Sequence, residues 1–221
     1  MSANPPDKRR RILDAAVIVF AEHGFYNAKV SQIAKEAGVA DGTIYLYFKN
    51  KEDILIQVFS DAMDEILRRQ EDTLAAIDDP VAKLRSFVRT HFAAVAESRA
   101  LAEVITVELR QSSKFMRNTD MKPFGRYLGI IARIVDEGVK AGVFVSGPHP
   151  RLTARAIFGA VDELSLEWAM SDRHTSLVDA GQQLADLFVA GLVTRPPLEP
   201  PSTLAEANQP LIKTNQTGER P

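Results

Sequence analysis

Apolar residues recur at helical spacing along almost the whole chain between Asp7 and Thr194. Ile12, Ala15, Ala16, Val19 and Phe20 form one i, i+3, i+4 stripe, and Gly24 ends that helix as a C-terminal glycine. The pattern predicts a short second helix over 30–37 and a short third over 42–48. Lys51 opens a long fourth, in which Ile54, Leu55, Val58, Phe59, Met63, Ile66 and Leu67 keep the period until Asp78-Asp79-Pro80 stops it. A fifth helix is expected over 81–97, a sixth over 100–111, and a seventh over 115–140. The seventh is expected to bend near Pro123 and Gly125, because proline removes a backbone donor. An eighth over 151–170 and a ninth over 177–193 finish the fold. The longest strand-like alternation is Val143-Phe144-Val145, so the predicted class is all-α with about nine helices.

Composition changes this picture little. With 45% hydrophobic and 25% charged residues, the 221 residues can bury a core and keep a polar surface. The lack of cysteine excludes disulfides, thiol chemistry and Cys-ligated zinc. No stretch reaches the roughly 18 apolar residues of a membrane span, and none looks like a leader, so a cytoplasmic protein with no membrane partner is expected. The tail 195–221 holds six of the twelve prolines and little periodicity, and disorder is expected there. Net charge is −2, but residues 1–52 carry eight Lys/Arg against six Asp/Glu, while the rest carries 19 against 23. A mildly basic head on an acidic body suits a small nucleic-acid-contacting module on a larger body.

The stretch VSQIAKEAGVADGTIYLYFKNK, from Val30 to Lys51, is the most informative. Two short helices joined at Gly38 have the arrangement of a helix-turn-helix, which lays its second helix in the DNA major groove. Ile33, Ala34, Ala37, Val39, Ile44 and Phe48 are the apolar pins that fix the crossing. Gly38 permits the positive φ of a tight turn, and Asp41 is placed to cap the third helix. Thr43, Leu46 and Tyr47 are expected to face the groove, and Gly42 is counted with them as DNA-binding. Tyr45, Lys51 and Ser31 suit phosphates, and Lys8, Arg9, Arg10 and Arg11 suit a flexible arm along the DNA backbone. Tyr45 taken alone also reads as a core aromatic.

Gly24-Phe25-Tyr26, Ile33-Ala34, Ala37-Gly38-Val39, Thr43-Ile44-Tyr45, Tyr47-Phe48 and Lys49-Asn50-Lys51-Glu52 stand in one register. Together they resemble the N-terminal domain of the TetR family of one-component transcriptional regulators. The resemblance implies a DNA-binding domain over 8–53 and a helical ligand-binding and dimerisation domain over 54–194. One departure is that Ala28 and Lys29 stand where many members have a threonine before the second helix. A homodimer on a palindromic, double-stranded operator is expected, because one short helix reads too few base pairs. Half-sites then lie roughly 34–36 Å apart, or multiples of that. The eighth and ninth helices are the expected interface. Ile157, Val161, Leu164 and Trp168 supply one stripe, and Leu184, Leu187, Phe188 and Gly191 the other, with Ala180 and Gly181 allowing close approach. The same stripes also read as intrachain core.

Val107-Glu108-Leu109-Arg110-Gln111-Ser112, Ile157-Phe158-Gly159-Ala160-Val161-Asp162-Glu163 and Trp168 add a narrower resemblance, to the FadR-type branch. Those members repress fatty-acid degradation and respond to long-chain acyl-CoA. Such an effector needs an apolar tunnel, for which Phe87, Phe92, Leu101, Ile105, Leu109, Phe124, Leu128, Phe158 and Trp168 are available. Its phosphates need cations, for which Arg85, Arg89, His91, Arg99, Arg110, Arg126 and Arg133 are available, with Arg110-Gln111 the leading pair. Ordinary core and a solvated helix face are the other readings of these two sets. No cofactor, metal or catalytic residue is expected.

The mechanism implied is a shift in population: effector between helices four to eight favours a spacing of the recognition helices that no longer fits the operator. An efflux-controlling sensor of cationic drugs is the nearest alternative, with Asp162, Glu163 and Glu167 near Trp168 as its acids. An enzyme is disfavoured, since there is no nucleophile elbow, phosphate loop or metal-spaced cluster, and His23, His91, His149 and His174 are scattered.

Overall fold

The computed structural model describes residues 7–108, 122–147, 149–171 and 176–193, and within them nine α-helices. Helix α1 (Lys8–His23) starts at Asp7, whose carboxylate accepts from Arg9 N at 3.2 Å. It ends at Gly24 (φ 72°), whose N–H bonds Phe20 O. Lys8 to Arg11, expected as a flexible arm, are therefore the first turn of α1. Burial of Ile12 and Leu13 just behind them holds that turn in place. Arg9 donates to both carboxylate oxygens of Asp61, at 3.0 and 3.1 Å, and to Gln57 at 2.8 Å. Arg11 reaches Ala37 O and Gly38 O at the end of α2.

Helix α2 (Val30–Ala37) closes on Gly38 in the left-handed conformation, φ 63° and ψ 42°, as the turn requires. The missing threonine cap is replaced from inside the helix, because Lys29 N donates to Gln32 Oε1 at 2.7 Å. Helix α3 (Asp41–Ile44) is shorter than its pattern, and the chain winds on as a turn in which Tyr47 N and Phe48 N both bond Ile44 O at 3.0 Å. Asp41 is the first residue of α3 and not its cap. Ala40 holds that position, accepting from Thr43 N through its carbonyl at 2.8 Å.

Helix α4 (Lys51–Leu74) is capped by Asn50, which accepts from Asp53 N at 2.8 Å. It runs through both apolar cores. Ile54, Leu55, Val58 and Phe59 complete the core of α1–α3, Leu67 lies in a second core, and Met63 packs against both. Helix α5 (Pro80–Ala96) begins with proline where no donor is needed. Helix α6 (Arg99–Glu103) runs straight into a π-helical turn, Val104–Glu108. From there Val104 reaches back into the first core. Helix α7 is described over Lys122–Lys140, and the residues before Pro123, on which the expected bend depends, lie outside the described ones. The end of the expected sixth helix (109–111), the start of the seventh (115–121) and the tail 195–221 lie outside the described residues.

Helices α8 (Pro150–Met170) and α9 (Leu177–Leu192) close the second core, α8 against α7 and α9 against α5. Phe144 packs over Gly138, where a Cβ would stand 2.0 Å from its ring, and forms an isolated antiparallel bridge with Val193. The interface expectation changes here. Ile157 and Val161 are fully buried within the chain, and Gly181 lies against Phe92 of α5. Those positions serve the intrachain core, while Leu187 is 68% exposed and Gly191 is also open to solvent. No helix among the described residues is long and apolar enough to cross a membrane.

Candidate functional site

Ile44 and Phe48, one helical turn apart, are buried in the first core and turn the residues between them outward. Tyr45, Leu46 and Tyr47 are consequently exposed, Leu46 to 81%. Gly42, Ser31 and Lys49 are exposed beside them, and Thr43 is half-buried. Three large side chains in a row are thus left on the surface without a place in the core. Lys8 and Arg10 are also exposed, Arg10 bonding Asp14 at 2.9 Å.

Lys51 is placed differently from its expected role. Its ammonium donates to Phe25 O at 2.6 Å, Ala28 O at 2.8 Å and Tyr26 O at 3.1 Å, and sits 4.7 Å above the Phe25 ring. An ammonium has three donors, so all are engaged in holding the loop between α1 and α2. Arg9, similarly, is fixed on α4. Both tie the head together, and a phosphate would have to displace one of these partners.

The second feature is a cavity of about 260 Å³ enclosed by α4, α5, α6, the π-helical turn, α7 and α8. Of the predicted tunnel residues, Leu101, Ile105, Phe124 and Phe158 line it. Phe92, Leu128 and Trp168 do not. Phe92 is fully buried against Gly181, and the Trp168 ring lies under the Arg99 guanidinium at 4.6 Å. Of the predicted cations His91 lines it, while the described arginines do not. Arg85 pairs with Asp186 at 2.9 Å, Arg126 with Glu71 at 3.0 Å, and Arg89 is exposed near Ser86. Leu109, Arg110 and Gln111 lie outside the described residues. The wall missed by the sequence reading is the α4 face Phe59, Met63 and Ile66. Its i, i+4, i+7 spacing was visible, but periodicity cannot tell a cavity wall from solid core.

One wall of the cavity is polar. Tyr127 Oη is 2.8 Å from His91 Nδ1, and His91 Nε2 is 3.4 Å from Ser165 Oγ. Ser165 in turn donates to Val161 O at 2.8 Å. With the serine proton on Val161, Ser165 Oγ can only accept from the ring, so Nε2 carries the imidazole proton and Tyr127 donates to Nδ1. Burial pushes His91 down to about 4 and raises the Tyr127 phenol above its ordinary range. His91, anticipated as a cation, is thus a neutral group at pH 7.

A cleft of about 430 Å³ adjoins the cavity between α1, α4, α5 and α6, and the two share Ala62, Ile66, Ala94, Ser98 and Leu101. Charged residues line it: Arg10, Asp14, Asp61, Glu65, Arg69 and Glu97. Arg69 bridges Glu65 (2.6 Å) on its own helix and Glu97 at the end of α5. Hydrogen bonds from Arg68 and then Arg69 hold the Glu65 carboxyl at about 2. Ion pairs thus fasten α4 to α5 through Arg69–Glu97, and α1 to α4 through Arg9–Asp61.

Residues 12–58 match the family of bacterial regulatory proteins, tetR family, and residues 59–191 match the YsiA-like protein, C-terminal region. The chain is 41% identical to the fatty acid metabolism regulator protein of Bacillus subtilis over 185 residues, covering 84% of this chain and 95% of that one. It superposes on the crystal structure of the Bacillus subtilis regulator FadR in complex with stearoyl-CoA with a TM-score of 0.77, covering 82% of this chain and 98% of that one. The fatty acid degradation regulator FadR of Bacillus halodurans is 39% identical, with a TM-score of 0.80 over 88% of this chain and all of the other. From the register of its exposed recognition turn to the match across its helical body, the chain belongs to the TetR family of transcriptional regulators, in its FadR-type branch, and is not an enzyme.

Proposed function

We propose that the protein represses fatty-acid degradation genes by holding a palindromic operator as a homodimer, and that a long-chain acyl-CoA entering the cavity releases it. The observation that carries this reading is the cavity's position. Its α4 wall continues into the core of the head, and its π-helical wall sends Val104 there as well. A chain lodged between α4 and α6 therefore bears on the elements that set the tilt of α1–α3. The two Bacillus relatives, one of them holding stearoyl-CoA, support an acyl-CoA as the occupant. The larger part of such a ligand would leave through the adjoining cleft, past α1. Arg10 and Arg69 stand there and could exchange a carboxylate partner for a phosphate. A differential affinity of about 3 kcal/mol between the two spacings changes operator affinity roughly 150-fold.

On the DNA, Thr43, Leu46 and Tyr47 read base edges and thymine methyls, while Ser31, Tyr45, Lys8 and Arg10 meet phosphates. Dimerisation through α8 and α9 uses the open side of α9 around Leu187 and Gly191 and the exposed side of α8 around Leu152 and Met170. A cationic-drug pocket fits less well. Asp162 lines the cavity, but Glu163 and Glu167 are exposed and Trp168 stacks on Arg99, so the acids expected for such a pocket do not converge on it. The test is fluorescence anisotropy of a labelled operator duplex titrated with protein, with palmitoyl-CoA, free CoA or palmitate added. Release by palmitoyl-CoA alone is expected. Operator affinity that is unchanged, or that rises with acyl-CoA, overturns the reading.

A further inference from the structure

The polar wall of the cavity is held by hydrogen bonds of unequal quality. His91, Tyr127, Ser165 and Asp162 on one side, with Ser98 and Thr106 on the other, line a space otherwise walled by Phe, Met, Ile, Val, Leu and Ala side chains, and the Thr106 hydroxyl is spent on Ala102 O at 2.8 Å. Buried polar groups are stable only when well bonded. Two of the links here are good, Tyr127 to His91 and Ser165 to Val161 O, each 2.8 Å. The one between them is slack: His91 Nε2 to Ser165 Oγ is 3.4 Å, at the outer limit for a hydrogen bond. The proton it carries is fixed on Nε2, because Tyr127 occupies Nδ1 and Ser165 points its own proton at Val161. Asp162 shares this wall, but a carboxylate has nothing to donate. On this wall the His91 Nε2–H is therefore an under-used donor.

We infer that His91 recognises the thioester carbonyl of the acyl-CoA, accepting no charge and donating its Nε2–H to the carbonyl oxygen, with Tyr127 as the positioning residue that fixes the tautomer. This rests on the acyl-CoA reading and deepens it. The fit is chemical. An acyl-CoA has one polar group at the junction of its apolar chain and its pantetheine arm, and it is an acceptor. His91 lies one turn before Ala94 on α5, and Ala94 belongs to both the cavity and the cleft. A ligand whose chain fills the cavity and whose arm leaves by the cleft puts its thioester near that boundary. A neutral imidazole suits a neutral carbonyl, whereas a cation buried there would need an anion.

The test compares palmitoyl-CoA with S-hexadecyl-CoA, a thioether that keeps the chain and the headgroup and lacks the carbonyl. Affinities are measured by calorimetry for the full-length wild type, His91→Phe and Ser165→Ala. Wild type is expected to prefer the thioester roughly tenfold, the value of one buried hydrogen bond. His91→Phe is expected to bind both ligands alike. Ser165→Ala releases the Nε2–H from its poor partner, so the thioester preference is expected to persist or grow, which also covers the case that His91→Phe fails to fold. Equal wild-type affinities, or a preference that survives His91→Phe, overturn the assignment while leaving the acyl-CoA reading intact. Failure of both ligands to bind wild type overturns the effector reading and this assignment with it.

Discussion

Gly181 of α9 lies so close to Phe92 of α5 that a Cβ added to it would stand 2.4 Å from Phe92 Cδ2. That spacing sets how near the last helix approaches the centre of the body. The phenylalanine cannot move away, because it is fully buried. We therefore expect Gly181→Ala to destabilise the protein by about 1–3 kcal/mol in urea, the usual cost of overpacking. Unchanged folding with a shifted monomer–dimer equilibrium would instead return Gly181 to an interface role.

Lys51 is expected to act through the fold. Lys51→Met keeps the length of the side chain and strips Phe25 O, Tyr26 O and Ala28 O of their donor. A loss of about 2 kcal/mol in unfolding free energy is expected, with weakened operator binding as its consequence. A stable variant whose only change is a salt dependence of DNA binding shallower by about one counterion would show a phosphate contact instead.

Leu46 is 81% exposed and Tyr47, tilted against the Phe48 ring at 6.4 Å, is 42% exposed between the buried Ile44 and Phe48. Leu46→Ala and Tyr47→Ala are each expected to weaken operator affinity by about 10- to 100-fold, at 1–3 kcal/mol per base contact, with the melting temperature unmoved. Anisotropy with operator and scrambled duplexes checks both; an equal loss on the two duplexes would mean that these side chains carry no sequence information.

Leu187 projects from α9 into solvent. In the proposed dimer it is buried against the partner helices, so Leu187→Glu would leave a charge in an apolar bundle. Sedimentation velocity is expected to find this variant monomeric at concentrations where the wild type is dimeric, with its far-UV circular dichroism intact. A variant that stays fully dimeric moves the interface elsewhere.

His91 makes stability depend on pH. Burial lowers its folded value to about 4, against 6.5 for a free histidine, so between these limits the unfolded chain binds the extra proton. Stability from this group is fully present above about 6.5 and falls as pH drops towards 4, by up to ~1.4 kcal/mol per unit. Denaturation midpoints measured from pH 7 to 5 are expected to decline more steeply for wild type than for His91→Phe. Parallel slopes would show that solvent reaches the ring and keeps it near its free value.

The amino-acid sequence by itself determined what depends on neighbours in the chain. The order of the nine described helices, the stop at Gly24, the left-handed turn at Gly38 and the outward pair Leu46–Tyr47 follow from 3.6-residue spacing and glycine's steric freedom. The register of the recognition turn, and with it the regulator family, was legible for the same reason. Tertiary structure decided what depends on distant partners. Arginine is long enough to choose among carboxylates tens of residues away, so Arg9 went to Asp61 and Arg85 to Asp186, where spacing alone suggested DNA and effector phosphates. An apolar stripe looks alike whether it meets its own chain, a partner or an empty space. Only packing placed Ile157 and Val161 in the core, left Leu187 outside, and opened a cavity beside Phe59, Met63 and Ile66. The Tyr127–His91–Ser165 chain joins three helices, and no local pattern could have brought its members together.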